Sequence, residues 1–297
     1  MAPMRINNAD VAVGLKDGLL TIGHVRGALY GGNMNLSGTV DGRKPGIAFD
    51  VKGDVQNILL GEMLRGLGGT NQYGSAVKVT IDGKLNAGNI ALRGGGTTSD
   101  QIKSSLVGGT NLSGHVFAGA DKALTTLGSA ATGAVGGVID NTLGTVLGGV
   151  TGNRQGVGVG NLLNAISLVL NRFVNNNSPI AGQIDIANGV VTDKGLRVQG
   201  RNCAANVSTN TNLASSTTNT TVNFVISEDP SAPYLISTIR GPTSNLSYNV
   251  VRGTAKDPPG MIDTLTGGGN RPPAGGGQAP AQQQRSPIPN IPNIFGR

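Results

Sequence analysis

The sequence is poor in the residues that usually anchor a dense core or build a catalytic centre. It holds no Trp, four Tyr, five Phe, one Cys and two His. Aromatic side chains supply much of the buried area of compact cores, so this scarcity excludes a core built around rings. A single cysteine, Cys203, permits no internal disulfide and no cysteine cage for a metal. His24 and His115 stand far apart, with no metal-ligand spacing around either. Of the 16 acidic residues only Glu62 and Glu228 are glutamate; the rest are Asp, several directly before Gly, which favours turns over long charged helices. No run reaches the roughly 18 apolar residues of a membrane-spanning helix. Met1 to Asp10 lacks the apolar stretch of a signal peptide. The net charge of +7 is spread thinly instead of gathered in a stripe, which argues against dedicated nucleic-acid binding.

What the chain has in excess is glycine, 49 of 297 residues, without the period of three that a collagen helix needs. It also has period-two alternation. Met34, Leu36 and Val40 alternate with polar neighbours, as do Ile47, Phe49 and Val51, and Val77, Val79 and Ile81. The same pattern returns at Ile184 and Ile186, Leu196 and Val198, Val222 to Ile226, and Leu246 to Val250. Alternate strand residues point to opposite faces, so each run predicts a strand with one apolar side, the mark of an antiparallel sheet. Asp17-Gly18, Asp41-Gly42, Asp82-Gly83 and Asn188-Gly189 are turn dipeptides, and Gly31-Gly32 reads as another break between strands.

Helical spacing predicts interruptions of the sheet in a few places, with two or more helices near the middle. Val55, Ile58, Leu59, Met63 and Leu67 suggest a short helix. Thr98-Ser99-Asp100 offers capping chemistry for a second, running through Ile102 and Leu106. A long, glycine-rich candidate lies between Asp121 and Val150. The best is Asn161 to Val174, whose Leu162, Leu163, Ile166, Val169, Leu170, Phe173 and Val174 form one wide apolar face. From Thr254 onward, Pro, Gly and Gln dominate without any period, predicting a disordered tail. Four regions follow: a β-meander with short helices over 5–118, a Gly-rich helical insertion over 119–176, antiparallel strands over 177–253 and the tail over 254–297.

Weak internal repeats accompany the strands. Leu36-Ser37-Gly38-Thr39-Val40 is similar to Leu112-Ser113-Gly114-His115-Val116, and Asp17-Gly18-Leu19-Leu20-Thr21 to Asn188-Gly189-Val190-Val191-Thr192. Gly68-Gly69-Thr70-Asn71 returns as Gly108-Gly109-Thr110-Asn111. Repeated hairpins predict an elongated sheet. Catalytic motifs are weak. Gly156-Val157-Gly158-Val159-Gly160 lacks the last Gly of a dinucleotide fingerprint and the Lys of a phosphate loop, and no Ser, His and Asp fall in a plausible local context. The chain is therefore read as a non-enzyme, with no catalytic, cofactor or metal residues. Cys203 lies in strand phase with Ala205 and Val207, as a small buried apolar residue would.

The order of these segments resembles the C-terminal region of the AsmA family. The pattern of Asp or Asn, Gly, two aliphatic residues and Thr, followed by an aliphatic strand closing on Gly, fits residues 17–41 and again 184–213. Asp100 to Gly119 resembles the family's short helix and following strand. Pro233-Tyr234-Leu235 to Gly241-Pro242 resembles its closing strands, and Gly253-Thr254-Ala255-Lys256-Asp257-Pro258-Pro259 its exit into a tail. The resemblance spans most of residues 5–260. It implies a β-rich (α+β) fold: an elongated, curved antiparallel sheet of repeated hairpins forming a groove, with helices inserted near the middle. It further implies a periplasmic protein at the Gram-negative inner membrane, held there by an upstream anchor absent from this chain. Its partners would be phospholipid acyl chains, and its role lipid transfer and outer-membrane biogenesis. The lipid-contact candidates are Met34, Leu36, Val40, Ile47, Phe49, Val51, Val77, Val79 and Ile81. The alternative is a repetitive β-rich structural or adhesion protein of the cell surface, with a closed, dry core.

Overall fold

The computed structural model describes residues 6–66, 72–73, 79–120 and 159–258. The elements are β1 (Ile6–Lys16), β2 (Leu19–Leu29), β3 (Gly32–Asp41), β4 (Ile47–Leu59), α1 (Leu60–Gly66) and β5 (Gln72–Tyr73). They continue with β6 (Val79–Gly96), α2 (Ser99–Ser105), β7 (Val107–Ala120), α3 (Val159–Phe173), β8 (Asn177–Ala187) and β9 (Val190–Gly200). The last four are β10 (Cys203–Asn212), β11 (Thr217–Ile226), β12 (Leu235–Pro242) and β13 (Ser247–Arg252). All strands belong to one open, curved antiparallel sheet that follows chain order from β1 to β13, with β5 attached to β6 beside that path. The expectation of a β-rich fold is met.

Two of the repeated segments are hairpin turns. Asp17-Gly18 and Asn188-Gly189 both adopt positive φ at each residue, the geometry whose twist matches flanking strands. A third turn of this kind is Tyr30-Gly31, one residue before the expected Gly31-Gly32; Gly32 already belongs to β3. Of the other two pairs, Gly68-Gly69-Thr70-Asn71 lies outside the described residues, and the pair of Leu36–Val40 and Leu112–Val116 has a different basis. Gly114 lies inside β7, where an added Cβ would stand 2.1 Å from the Lys84 carbonyl oxygen of the neighbouring strand.

Asp82-Gly83 is not a turn. Both residues lie inside β6, and Gly83 has φ +136° with the His115 carbonyl where a side chain would be. The expected helix over Val55 to Leu67 is also corrected. Val55, Ile58 and Leu59 are strand residues, and the helix occupies only Leu60–Gly66. The reason is a bulge. Val55 pairs with Ala87 and Ile58 with Leu85, so β4 advances three residues while β6 advances two. An extra residue in a strand turns a spacing of two into three, which imitates helical spacing.

Such bulges recur, and each restores the apolar phase. Register shifts insert one residue near Asn8 in β1, at Gly23-His24 in β2, near Asn57 in β4, near Asn89 in β6 and at Gly195 in β9. The aliphatic residues change parity at the same points: Ile22 to Val25 in β2, Val55 to Ile58 in β4, Ala87 to Ile90 in β6. Asn57 and Asn89 hold positive φ, which Asn tolerates better than most residues. Their backbone N–H groups donate to side chains of the other strand, Asn57 to Asn86 at 2.8 Å and Asn89 to Asp54 at 2.9 Å. The two bulges thus satisfy one another's displaced amides.

The helices sit at opposite rims. Thr98 caps α2 as expected, its hydroxyl accepting from the Gln101 N–H at 3.2 Å. At the other rim, α3 starts two residues before the expected Asn161 and ends one before Val174. Its Ala165, Ile166 and Val169 pack with Cys203, Ile226, Tyr234, Leu235 and Ala255 in the main buried cluster. The expected helix between Asp121 and Val150, the Gly156-Gly158 segment and residues 259–297 of the tail lie outside the described residues. The expectation that the disordered tail begins at Thr254 is corrected: Ala255 is buried in the main cluster, and Asp257 accepts hydrogen bonds from Tyr234 and Arg252.

A candidate apolar docking face

The strand register assembles the apolar residues into one continuous face. Val11 of β1 pairs with Val25, Val25 with Leu36, and Leu36 with Gly53, which pairs with Ile90. A second row runs through Leu20, Val40, Phe49 and Gly94. A third passes from Leu85 through Gly114, Ile180, Val198, Ala205 and Phe224 to Leu235. Side chains directly opposite in an antiparallel pair share a face, so these rows lie on one side of the sheet. The other side carries Asn35, Lys52, Asp54, Lys84, Arg93 and Arg197 among its neighbours.

Three parts of this face are treated differently. Under α3 it is a true core: Ile226 and Tyr234 are completely buried, and Phe173 of the helix meets Phe224 edge-on at 5.9 Å. Polar clasps hold that rim. Arg172 forks onto Glu228 at 2.8 and 2.6 Å and also donates to the Asn202 carbonyl. The Arg172 guanidinium holds the Glu228 carboxyl below its ordinary range. Arg252 stacks on the Tyr234 ring and joins Asp257, which also accepts from the Tyr234 hydroxyl at 2.9 Å. Cys203 is buried here as expected, and burial pushes its thiol up to about 11.

At the opposite rim of β10 and β11 the same face becomes polar. Thr209 pairs with Thr220 and Thr211 with Thr218, hydroxyl to hydroxyl, each at 2.7 Å. The third part spans the first strands, where the face stays aliphatic without a helix core like that at α3. Val11, Val13 and Leu15 are 51%, 58% and 75% exposed, and Ile47 is exposed as well.

The structure places Met34, Leu36, Val40, Ile47, Phe49, Val51 and Ile81 together on this face. Met34 is buried, and Leu36, Val40, Phe49, Val51 and Ile81 are half-buried. Val79 begins β6, with its side chain not described, and Val77 lies outside the described residues. Period-two reading missed Val11, Val13, Leu15, Leu85, Ile90 and Leu92, which join the face through the bulged strands. The signal that finds them is a parity change beside Asn or Gly.

On the polar side, α1 and the neighbouring strands outline a hollow of about 430 Å³ lined by Glu62, Arg65, Asp82, Lys84, His115 and Phe117. Its charges are of both signs and converge on no single ligand chemistry. Among the described residues no three His, Cys, Asp or Glu side chains are grouped to hold a metal, and no helix is long and apolar enough to cross a membrane. Compared with protein-family models, curated proteins and solved structures, the chain matches none.

Proposed function

We propose that this chain is a non-enzymatic, AsmA-like envelope protein that carries phospholipid acyl chains along the aliphatic face. In that reading the curved sheet acts as a groove on the periplasmic side of the inner membrane. It supports lipid movement toward the outer membrane and outer-membrane biogenesis.

One observation carries the reading. The face is made compatible with water by threonine pairs in β10 and β11, yet remains aliphatic across β1 to β4. Apolar side chains left in water forgo about 0.8 kcal/mol for each CH₂ that a ligand could cover. An acyl chain covers such a surface without requiring hydrogen bonds, which suits a face whose aliphatic rows hold few polar side chains. Motion along the rows needs no breakage of directional contacts, so a lipid can slide.

The test is photo-crosslinking with phospholipid from the single positions Leu36, Val51 and Ile81, compared with Asn35, Lys52 and Thr80 on the opposite side. Labelling confined to the first set is expected. Equal labelling of both sets, or none at either, overturns the reading, and a structural or adhesive protein would give the latter.

A further inference from the structure

The first strand leaves an unpaired edge as well as an uncovered face. Among the described residues β1 is the outermost strand, joined to β2 on one side only, and all its residues are exposed. Open edges in natural sheets are usually blunted by shortness, proline, a bulge or charge, because their free N–H and C=O groups template another strand. β13, at the opposite edge, has six residues, whereas β1 has eleven and no proline. The bulge of β1 lies between Asn7 and Asp10, at its beginning. From Asp10 to Lys16 the strand advances one residue at a time, and the shift beside Val13 is accommodated by β2.

That straight segment is Asp10-Val11-Ala12-Val13-Gly14-Leu15-Lys16. It is self-complementary when turned antiparallel about Val13. Val13 then faces the partner's Val13, Val11 faces the partner's Leu15, and Ala12 faces the partner's Gly14. Asp10 faces the partner's Lys16, and the symmetry makes this charge pair twice. Slipping one strand by a single residue would oppose apolar to polar positions, Val11 to Lys16 and Val13 to Gly14, and unmake both charge pairs.

The charged ends are ready for this use. The Asp10 side chain is 66% exposed, and its ion pair among the described residues is with His24, through one carboxylate oxygen at 3.1 Å. Lys16 makes no ion pair among the described residues. Opposite charges directly across an antiparallel pair are favourable and like charges unfavourable.

From this juxtaposition we infer that β1 is a dimerisation edge, its occupant a second copy of the chain paired β1 to β1 about Val13. A two-fold axis normal to the sheet leaves both apolar sides pointing the same way. The two aliphatic faces therefore join into one surface, and Val13 and Leu15 become internal to it. An isologous contact of this kind closes at two copies. Dimerisation does not depend on lipid carriage and stands or falls separately from it.

Sedimentation velocity of the full chain tests the inference. A concentration-dependent dimer is expected. Asp10→Lys or Lys16→Asp alone places like charges opposite each other twice and weakens dimerisation about tenfold or more, while the double exchange Asp10→Lys/Lys16→Asp restores it. Circular dichroism confirms that each variant keeps its strands. A second readout is Val13→Cys, which forms a disulfide between copies across the axis, whereas Ala12→Cys, on the polar side and facing Gly14, does not. Cys203 is buried and does not compete. A monomer at all concentrations, an open-ended polymer, or a dimer indifferent to both single reversals overturns the inference.

Discussion

The rim beneath α3 and the strands from β1 to β4 start from the same material. Both consist of antiparallel strands with aliphatic residues on one face, yet one is a closed core and the other stays partly open to solvent, most of all in β1. At the rim, α3 supplies Ala165, Ile166 and Val169 as a second layer, and aromatic residues fill the join. In β1 the side chains of Val11, Val13 and Leu15 are more than half exposed. A strand pattern therefore determines which face is apolar. A second element of suitable shape determines whether that face becomes interior.

Substitutions should separate the two regions by size of effect. Ile226→Ala, in the completely buried cluster, is expected to cost about 2–5 kcal/mol in urea denaturation, through lost burial and the cavity left behind. A loss below about 1 kcal/mol would mean that the rim is no tighter than the open face. Glu228→Gln should cost about 1–2 kcal/mol at neutral pH by weakening the fork from Arg172, discounted for the partial exposure of the pair. Because Arg172 lowers the folded-state affinity of Glu228 for a proton, this contribution is full above the ordinary glutamate range. It is lost as pH falls through and below that range, so the Gln variant should show a shallower decline in stability on acidification. Unchanged pH dependence would remove the fork from the account.

Asn89→Val tests what keeps the open face in phase. A β-branched residue at φ +55° is strained, and a cost of about 1–2 kcal/mol is expected. The same change at Asn35, in ordinary strand geometry on the polar side, should cost far less. The smallest effect belongs to the open face itself. Leu15→Ser should alter stability by less than about 0.5 kcal/mol while reducing binding of an acyl probe. If Leu15→Ser destabilises as much as Ile226→Ala, the distinction between the regions fails.

Much of the sheet was legible because period two is a direct imprint of strand geometry. Met34 to Val40, Ile47 to Val51 and the turns at Asp17 and Asn188 needed no tertiary information. The best helix was legible for a similar reason, since Leu162, Ile166, Val169 and Phe173 mark one stripe. Other features failed at points where local and long-range effects meet. The bulge at Asn57 made Val55, Ile58 and Leu59 look helical. Gly83 looked like a turn residue because its preceding Asp is common in turns, whereas its role comes from the His115 backbone across the strand pair. Even so, the candidate face was legible in kind before its extent: the named residues share a side, but the rows joining them depend on register.

The chain order of the sheet has a consequence for how the molecule comes apart. Among the described residues each strand of its main path pairs with its neighbours along that path, in chain order. Opening can therefore proceed from an edge, one strand at a time, without disrupting distant contacts. The two edges are unequal: β1 holds on by a single ladder, whereas β13 is tied back through Arg252 to the Tyr234 carbonyl at 2.6 Å and to Asp257. Amide exchange should accordingly unzip from β1, with the slowest protons in β10 and β11 beneath α3. Protection in β1 would rise only when something occupies its free side.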